Sequence, residues 1–330
     1  MQKQPFSKIA GTGHYLPETI LTNQDLEKIM DTTDEWIMQR VGIRERHIVG
    51  QSGESTSDLA SKAALRAIED AGITPADIDL IIIGTVTPDM KFPSTAIFVQ
   101  QKIGAVNAAA FDMQAACTGF LYGMNIADSM IRTGKFKNAL VVGVEFLTSL
   151  INWNDRGTAV LFGDGAGAVV MQPSDGTSGL LGSYIKSSGD LAELLWSVGG
   201  GTYAFSSKEN IPDRNAYIRM EGNQVFRHAV RAMIDSAEKA MADAGITEDD
   251  IDLLIPHQAN MRIIEAIATR VKLPQEKVYV NLPYTGNTSA ASIPIAMDQA
   301  RKKGVLKAGD TVLMAAFGAG FTWGGAVVKF

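Results

Sequence analysis

The feature that most constrains the fold is an internal repeat. Residues 67–80 read Ala-Ile-Glu-Asp-Ala-Gly-Ile-Thr-Pro-Ala-Asp-Ile-Asp-Leu, and residues 240–253 read Ala-Met-Ala-Asp-Ala-Gly-Ile-Thr-Glu-Asp-Asp-Ile-Asp-Leu. The shared glycines, Gly72 and Gly245, set the offset at 245 minus 72, or 173 residues. A second echo pairs residues 162–170 (Phe-Gly-Asp-Gly-Ala-Gly-Ala-Val-Val) with residues 317–328 (Phe-Gly-Ala-Gly-Phe-Thr-Trp-Gly-Gly-Ala-Val-Val). Each half therefore ends alike, as expected of two copies of one α/β unit. The joint falls near residues 172–178, where Gln-Pro-Ser-Asp-Gly-Thr-Ser is rich in turn formers. This predicts an N-terminal half over 1–174 and a C-terminal half over 175–330.

Within each half the same grammar recurs: a helix with apolar residues at 3.6 spacing, a glycine stop, then a short β-branched run. Residues 80–84 and 139–143 read as buried strands, with 253–255 and 311–316 as their counterparts. Continuous apolar strands imply sheets covered by helices on both faces. The expected architecture is α/β in five layers, α/β/α/β/α, with the helices that follow the two central turns buried between two sheets. Residues 179–220, rich in Gly, Ser and Tyr, match nothing in the first half and predict an excursion that shapes a pocket or an interface.

Composition supports a large core, with 46% apolar and 20% charged residues. The formal net charge of -6 argues against a general nucleic-acid binder, because phosphate binding needs concentrated Lys and Arg. Residues 1–8 hold no apolar run of signal-peptide length, and no stretch approaches the roughly 18 apolar residues of a membrane span, so a cytoplasmic location is expected.

The chain's one cysteine, Cys117, lies in residues 112–120 (Asp-Met-Gln-Ala-Ala-Cys-Thr-Gly-Phe), where a buried strand is predicted to turn into a helix. A thiol there would feel the backbone N–H groups and positive dipole end of the helix, which favour thiolate. Small neighbours, Ala115, Ala116 and Gly119, leave room for a substrate. The competing reading is that of a small core hydrophobe. Residue 287, at 287 minus 117 or 170 positions on, is an asparagine in the run Asn-Leu-Pro-Tyr-Thr-Gly-Asn-Thr-Ser-Ala-Ala-Ser over 281–292. A pseudo-twofold axis would bring the two strand-to-helix turns together. His257 directly follows the strand 253–255 and Pro256, and strand ends in α/β sheets are where ligands bind. The other three histidines, His14, His47 and His228, read as solvated or structural.

Cysteine, histidine and asparagine together have two chemical readings. In a cysteine hydrolase the histidine deprotonates the cysteine and the asparagine orients the histidine. In a decarboxylative condensing enzyme the cysteine carries an acyl group while histidine and asparagine both donate hydrogen bonds to an enolate oxygen. Spacing alone leaves both open. Other motifs carry less. Residues 11–13 (Gly-Thr-Gly) lack the third glycine and downstream acid of a dinucleotide site, and 163–167 (Gly-Asp-Gly-Ala-Gly) read as permitting close packing. No metal-ligand spacing of Cys and His is present, so no metal is expected.

The segments around Cys117, His257 and Asn287 resemble those of the 3-oxoacyl-[acyl-carrier-protein] synthase III family, the initiating condensing enzymes of type II fatty-acid synthesis. Residues 32–48, 155–158, 162–167 and 316–324 resemble further family signatures, in the right order along nearly the whole chain. The resemblance implies a duplicated thiolase-like fold, which agrees with the repeat. It implies an acyltransferase in which Cys117 takes an acyl group from acyl-CoA, and a malonyl-acyl-carrier protein then enters and loses carbon dioxide. His257 and Asn287 would stabilise the resulting enolate, and the backbone N–H groups of Cys117 and Ala319 would form the oxyanion hole. The family commonly has glycine where Ala319 stands. Trp36 and Arg156 match positions that sandwich the CoA adenine, Arg40 could reach the CoA phosphates, and Phe92 resembles a residue closing the acyl pocket of the neighbouring subunit in a homodimer. Arg262, Arg227 and Arg270 resemble docking positions for the acidic carrier protein. No cofactor is implied, acyl-CoA being a substrate. Alternatives are a relative of secondary metabolism or one using longer acyl-CoA primers, a 3-hydroxy-3-methylglutaryl-CoA synthase-type enzyme, and a non-catalytic acyl-binding protein.

Overall fold

The computed structural model describes residues 6–199, 201–202 and 217–330. The strands, in chain order, are β1 Ser7–Tyr15, β2 Thr19–Thr22, β3 Glu45–Ile48, β4 Leu80–Gly84, β5 Ala109–Met113, β6 Ala139–Glu145, β7 Gly165–Pro173, β8 Gly179–Ser187, β9 Leu195–Trp196, β10 Arg219–Met220, β11 Leu253–Pro256, β12 Thr311–Gly318 and β13 Thr322–Lys329. One sheet runs β1-β7-β6-β4-β5 and the other β8-β13-β12-β11. The two orders superpose term by term. In each, the first pair and the second pair are antiparallel, and β6–β4 and β12–β11 are parallel. The place of β5 is taken in the second sheet by a single parallel bridge, Leu254 to Val278. The repeat is thus a repeat of topology.

The apolar strands are continuous because both faces of each sheet are covered. Along β4, Leu80 and Ile82 face a central core shared with Ile255, Met314 and Val328 of the second sheet, while Ile81 and Ile83 face an outer core with Leu59, Ala63 and Ala67. The helices Gly119–Arg132 and Ser292–Lys302 supply Phe120, Met124, Ile293 and Met297 to the central core and form the middle layer. Helix Thr56–Asp70 covers the first sheet outside; Gly222–Ala244 and Met261–Arg270 cover the second, with Met233, Ile263 and Ile267 buried beneath them. The five layers expected from the sequence are present.

Glycines allow the middle layer to sit this close. A Cβ on Gly143 in β6 would lie 2.2 Å from the carbonyl oxygen of Ala290, at the start of the second buried helix. Backbone cannot retreat there, so Gly143→Ala should destabilise the protein by roughly 3 kcal/mol or more, read as a lowered denaturant midpoint at unchanged m value. Gly11 and Gly13 serve packing too: a Cβ on either would fall 2.3–2.4 Å from carbonyl oxygens of helix Thr56–Asp70. The same holds for Gly163 and Gly167, whose added Cβ would meet Thr285 O at 2.5 Å and Ile295 N at 2.6 Å.

The predicted excursion over 179–220 needs correction. Residues 179–187 are β8, the partner in the second sheet of β1 in the first. Its half-apolar run is followed by exposed polar residues, which hid the strand. Of the remainder, Ala192, Leu195, Trp196, Gly199, Ile218 and Met220 border the cavities described below, and 200 and 203–216 lie outside the described residues.

Candidate active site

The chain leaves β5 and turns sharply at Ala116, whose φ of 47° is in the left-handed region that side chains with a Cβ seldom adopt. A single 3-10 turn, Ala116–Thr118, leads into helix Gly119–Arg132 and places Cys117 at the helix start. Thr118 Oγ1 donates to Ala115 O at 2.6 Å and lies 2.8 Å from Thr322 Oγ1, which itself donates to Ala115 O at 2.9 Å. These bonds pin the turn to β13 of the other half.

Cys117 stands where two cavities meet. One, of about 480 Å³, is lined by Trp36, Arg40, Arg262, His257, Asn287 and Cys117 among others; the second, of about 460 Å³, has Val86, Leu147, Leu150, Ser289 and Ala319 in its wall along with Cys117. Fold and sequence separate Cys117, His257 and Asn287 by up to 170 residues, yet all three face one space.

His257 follows β11 and is almost fully buried. Its backbone N–H donates to Ala315 O at 2.8 Å, and its Nδ1 lies 2.7 Å from Ser292 Oγ. That hydroxyl oxygen also accepts from the Gln258 N–H at 3.4 Å. Burial pushes the imidazole down to about 4, so the ring is neutral at physiological pH. Asn287 is held by backbone bonds to Leu161 O at 2.9 Å and from Gly163 N at 3.0 Å. Its Oδ1 accepts from the Ser289 N–H at 2.8 Å, which occupies the acceptor end of the amide and leaves the NH2 end to donate.

The symmetry argument that selected Asn287 requires adjustment. The turn matching Ala116–Thr118 is Ser289–Ala291, and Ser289 has the same left-handed φ, 48°. The offset is 289 minus 116, or 173, so the counterpart of Cys117 is Ala290, and Asn287 stands three residues before it. The two turns touch, which is why Asn287 still reaches the nucleophile's cavity.

A second correction concerns the thiol. The helix start was expected to depress it, but burial pushes Cys117 up to about 12. A hydrogen bond with Ser289 works the other way, while the buried carboxylate of Glu145 adds to the rise. The dipole end competes with the loss of thiolate solvation against the surrounding walls, and desolvation is the larger cause.

A family model described as 3-Oxoacyl-[acyl-carrier-protein (ACP)] synthase III matches residues 111–189, and one described as the C terminal of the same enzyme matches residues 241–330. The beta-ketoacyl-[acyl-carrier-protein] synthase III of Caldanaerobacter subterraneus subsp. tengcongensis is 52% identical over 322 residues, covering 98% of this chain and 97% of the relative. That of Xanthomonas axonopodis pv. citri is 49% identical over 330 residues, the full length of both. The chain belongs to the 3-oxoacyl-[acyl-carrier-protein] synthase III family. The crystal structure of 3-oxoacyl-[acyl-carrier-protein] synthase III from Aquifex aeolicus VF5 matches with a TM-score of 0.91 at 47% identity, covering 98% of this chain and all of the other. The fold is accordingly the duplicated, thiolase-like fold of condensing enzymes.

The other residues assigned by resemblance to the synthase III family fall in three places. Trp36 is half-buried against a cluster containing Ile37 and Ile264, so it packs as well as lining the cavity mouth. Arg40 and Arg156 stand over its ring, with guanidinium carbons 5.7 and 5.1 Å from the centroid. A ring stacked between Trp36 and Arg156 needs about 7 Å, two contacts of roughly 3.5 Å, so Arg156 must swing aside from its bond to Asp31 O, 2.7 Å long, before one can enter. Ala319 borders the second cavity, next to Gly318, whose added Cβ would lie 2.6 Å from Cys117 N.

Arg262 borders the cavity mouth, 5.5 Å over the Phe226 ring; Arg227 is exposed; Arg270 is paired with Glu238 at 2.7 Å and ties two outer helices together. Phe92 lines neither cavity and is 84% exposed. His14 pairs with the buried Asp298, His47 lies 2.6 Å from Pro17 O, and the His228 ring packs 5.8 Å from Phe321. Among the described residues no group of three or more His, Cys, Asp or Glu is placed to hold a metal, and no helix is long and apolar enough to cross a membrane.

Sequence reasoning missed Ser289, Ser292 and Glu145. Both serines stand inside a segment already singled out, but a hydroxyl there is indistinguishable from a turn residue until its partner is known. Glu145 had a visible signal: an acid closing an otherwise wholly apolar strand, β6, where every residue is buried.

Proposed function

We propose that Cys117, His257 and Asn287 carry out a two-stage condensation, each facing the same cavity. The reaction is the one that starts fatty-acid synthesis in this family: an acyl-CoA and malonyl-acyl-carrier protein give 3-oxoacyl-acyl-carrier protein, CoA and carbon dioxide. In the first stage the Cys117 sulfur attacks the acyl-CoA carbonyl, the carbon–sulfur bond to CoA breaks, and an acyl-enzyme remains. The oxyanion forms against the backbone N–H groups of Cys117 and Ala319.

In the second stage the malonyl carboxylate leaves as carbon dioxide, and its bonding electrons pass into an enolate. His257 and Asn287 donate to that enolate oxygen. For His257 this needs the proton on Nε2, which follows if Ser292, its oxygen already accepting from Gln258, gives its own proton to Nδ1. For Asn287 the NH2 is directed by the Ser289 N–H on its Oδ1. Donors fixed this way bind developing charge more strongly than a neutral thioester. The enolate carbon then attacks the acyl-Cys carbonyl and the Cys117 thiolate leaves.

The observation that carries this reading is a neutral, buried histidine and an oriented asparagine sharing one cavity with the nucleophile. In a hydrolytic triad Asn287 would orient His257; instead the His257 Nδ1 meets Ser292 Oγ and the Asn287 Oδ1 accepts from the Ser289 N–H.

The remaining assignments extend the same reading. Trp36, Arg40 and Arg156 hold the CoA nucleotide at the cavity mouth, and the acyl chain enters the cavity walled by Val86, Leu147 and Leu150. The exposed Phe92 is covered in a homodimer and closes the partner's acyl pocket. Arg262 and Arg227 meet the acidic carrier protein, with Arg270 joining them only if its pair with Glu238 opens. Residues 1–174 and 175–330 form the two halves, one bringing the cysteine and the other the histidine and asparagine. The enzyme needs no cofactor in this scheme and works in the cytoplasm.

Acyl-CoAs of graded length, followed by mass spectrometry of the protein and addition of malonyl-acyl-carrier protein, test the reading. An adduct on Cys117 that is converted into a product longer by two carbons is expected. Acylation elsewhere, or release by hydrolysis without a longer product, would overturn it.

A further inference from the structure

The condensation leaves unanswered where the proton of the Cys117 thiol goes when the sulfur attacks. In the tautomer proposed above His257 offers no acceptor, because its Nδ1 takes the Ser292 proton and its Nε2 carries one of its own. Glu145, at the end of β6, is fully buried and near enough to Cys117 to act on its thiol. Its carboxylate accepts from Thr87 Oγ1 at 2.7 Å, Thr85 Oγ1 at 3.2 Å, the Val86 N–H at 3.1 Å and Ser289 Oγ at 3.2 Å. The segment after β4 and the Ser289–Ala291 turn, packed around it, present only hydroxyls and a backbone N–H, none of them charged. Cys117 and Ser289 both line the second cavity, on turns that touch, and the Cys117 thiol is the titratable group that Glu145 acts on there.

We propose that Glu145 is the proton acceptor for Cys117, reached through the Ser289 hydroxyl. As the sulfur–hydrogen bond breaks, Ser289 Oγ takes the thiol proton and passes its own to Glu145 Oε1. Thiolate and carboxylic acid replace thiol and carboxylate, and the site's net charge does not change. Among the described residues no cation faces this buried pair, and such a pocket accommodates one negative charge far better than two, so the proton moves within the site instead of leaving it. Burial raises the Glu145 carboxyl to about 7, which narrows its gap to the thiol, and the ionised carboxylate is one cause of the high thiol value, a cause removed as the proton arrives. The CoA thiolate released in the first stage takes its proton from solution. Glu145 keeps the stored proton through the acyl-enzyme and returns it by the same path when condensation expels the Cys117 thiolate.

This inference rests on Cys117 being the nucleophile of the proposed condensation. Its test compares wild type, Glu145→Gln, Ser289→Ala and the double variant by single-turnover acylation across pH 5.5–9.5, with iodoacetamide alkylation of Cys117 as a readout that needs no acyl-CoA. In wild type both rates should rise with an apparent pKa near 7, the Glu145 value. Each single variant should lose that step and acylate about 100-fold more slowly at pH 7, with KM for acyl-CoA unchanged. The double variant should be no slower than either single one, because the two residues form one path.

A normal rate and intact step in Glu145→Gln, losses that multiply, or a loss confined to KM would overturn the proposal. If Glu145→Gln fails to fold, Ser289→Ala, which leaves the Thr85, Val86 and Thr87 contacts in place, decides alone: loss of the step supports the relay, and its retention refutes it. Failure of every acyl-CoA to acylate wild-type Cys117 would instead refute the condensation, while alkylation would still report on the relay.

Discussion

Cys117→Ala should form no acyl-enzyme with any acyl-CoA and should condense at least about 10⁴-fold more slowly than wild type. The fold should survive, because the side chain is only partly enclosed and opens onto two cavities. A denaturation midpoint close to wild type, together with absence of the acyl mass shift, is the expected pair of results. Acylation of the variant at wild-type rate would mean that the sulfur is not the nucleophile. The thiol's own ionisation makes a related point. Burial pushes the Cys117 thiol up, so removal of its proton is part of the first half-reaction.

The second large effect is a separation of the two half-reactions. His257→Ala and Asn287→Ala should each still acylate on Cys117, yet decarboxylate malonyl-acyl-carrier protein roughly 10²–10³-fold more slowly, the usual cost of losing one donor to a developing oxyanion. Rapid-quench measurement of carbon dioxide release against acyl-enzyme formation distinguishes the stages. Equal losses in both would show that His257 activates the thiol after all.

The pH dependence has a definite sign. The His257 ring has a folded value near 4 against an ordinary 6.5, so the native state excludes a proton that the unfolded chain binds. Its contribution to stability is complete above 6.5 and is lost as pH falls from there toward 4. Decarboxylation should therefore show no histidine step between pH 6 and 8, because the ring is neutral throughout.

Much of this protein was legible before folding was considered. The 173-residue repeat predicted two like halves, and the continuous apolar strands predicted layers on both faces, because alternate residues of a doubly covered strand such as Leu80 and Ile81 must both be apolar. His257 followed from its position past a strand end. Asn287 was found by an offset three residues short of the true one, and it was right as a cavity residue because the two turns touch over several residues.

What the sequence determined by itself was Cys117, His257 and Asn287 as candidates and the secondary structure that carries them, since hydrophobic period and turn chemistry act over a few residues. What only the tertiary structure decided was the electrical state of those side chains. Cys117 at a helix start looked like a thiolate, His257 suited a base or a hydrogen-bond donor, and Glu145 looked like nothing at all. Burial, which depends on atoms far away in the chain, raises the thiol, keeps the imidazole neutral and lifts the carboxyl. The partners that direct them, Ser289 and Ser292, lie more than 140 and 30 residues away from Glu145 and His257. Desolvation and hydrogen bonding are properties of position in space, and no local pattern of residues encodes them.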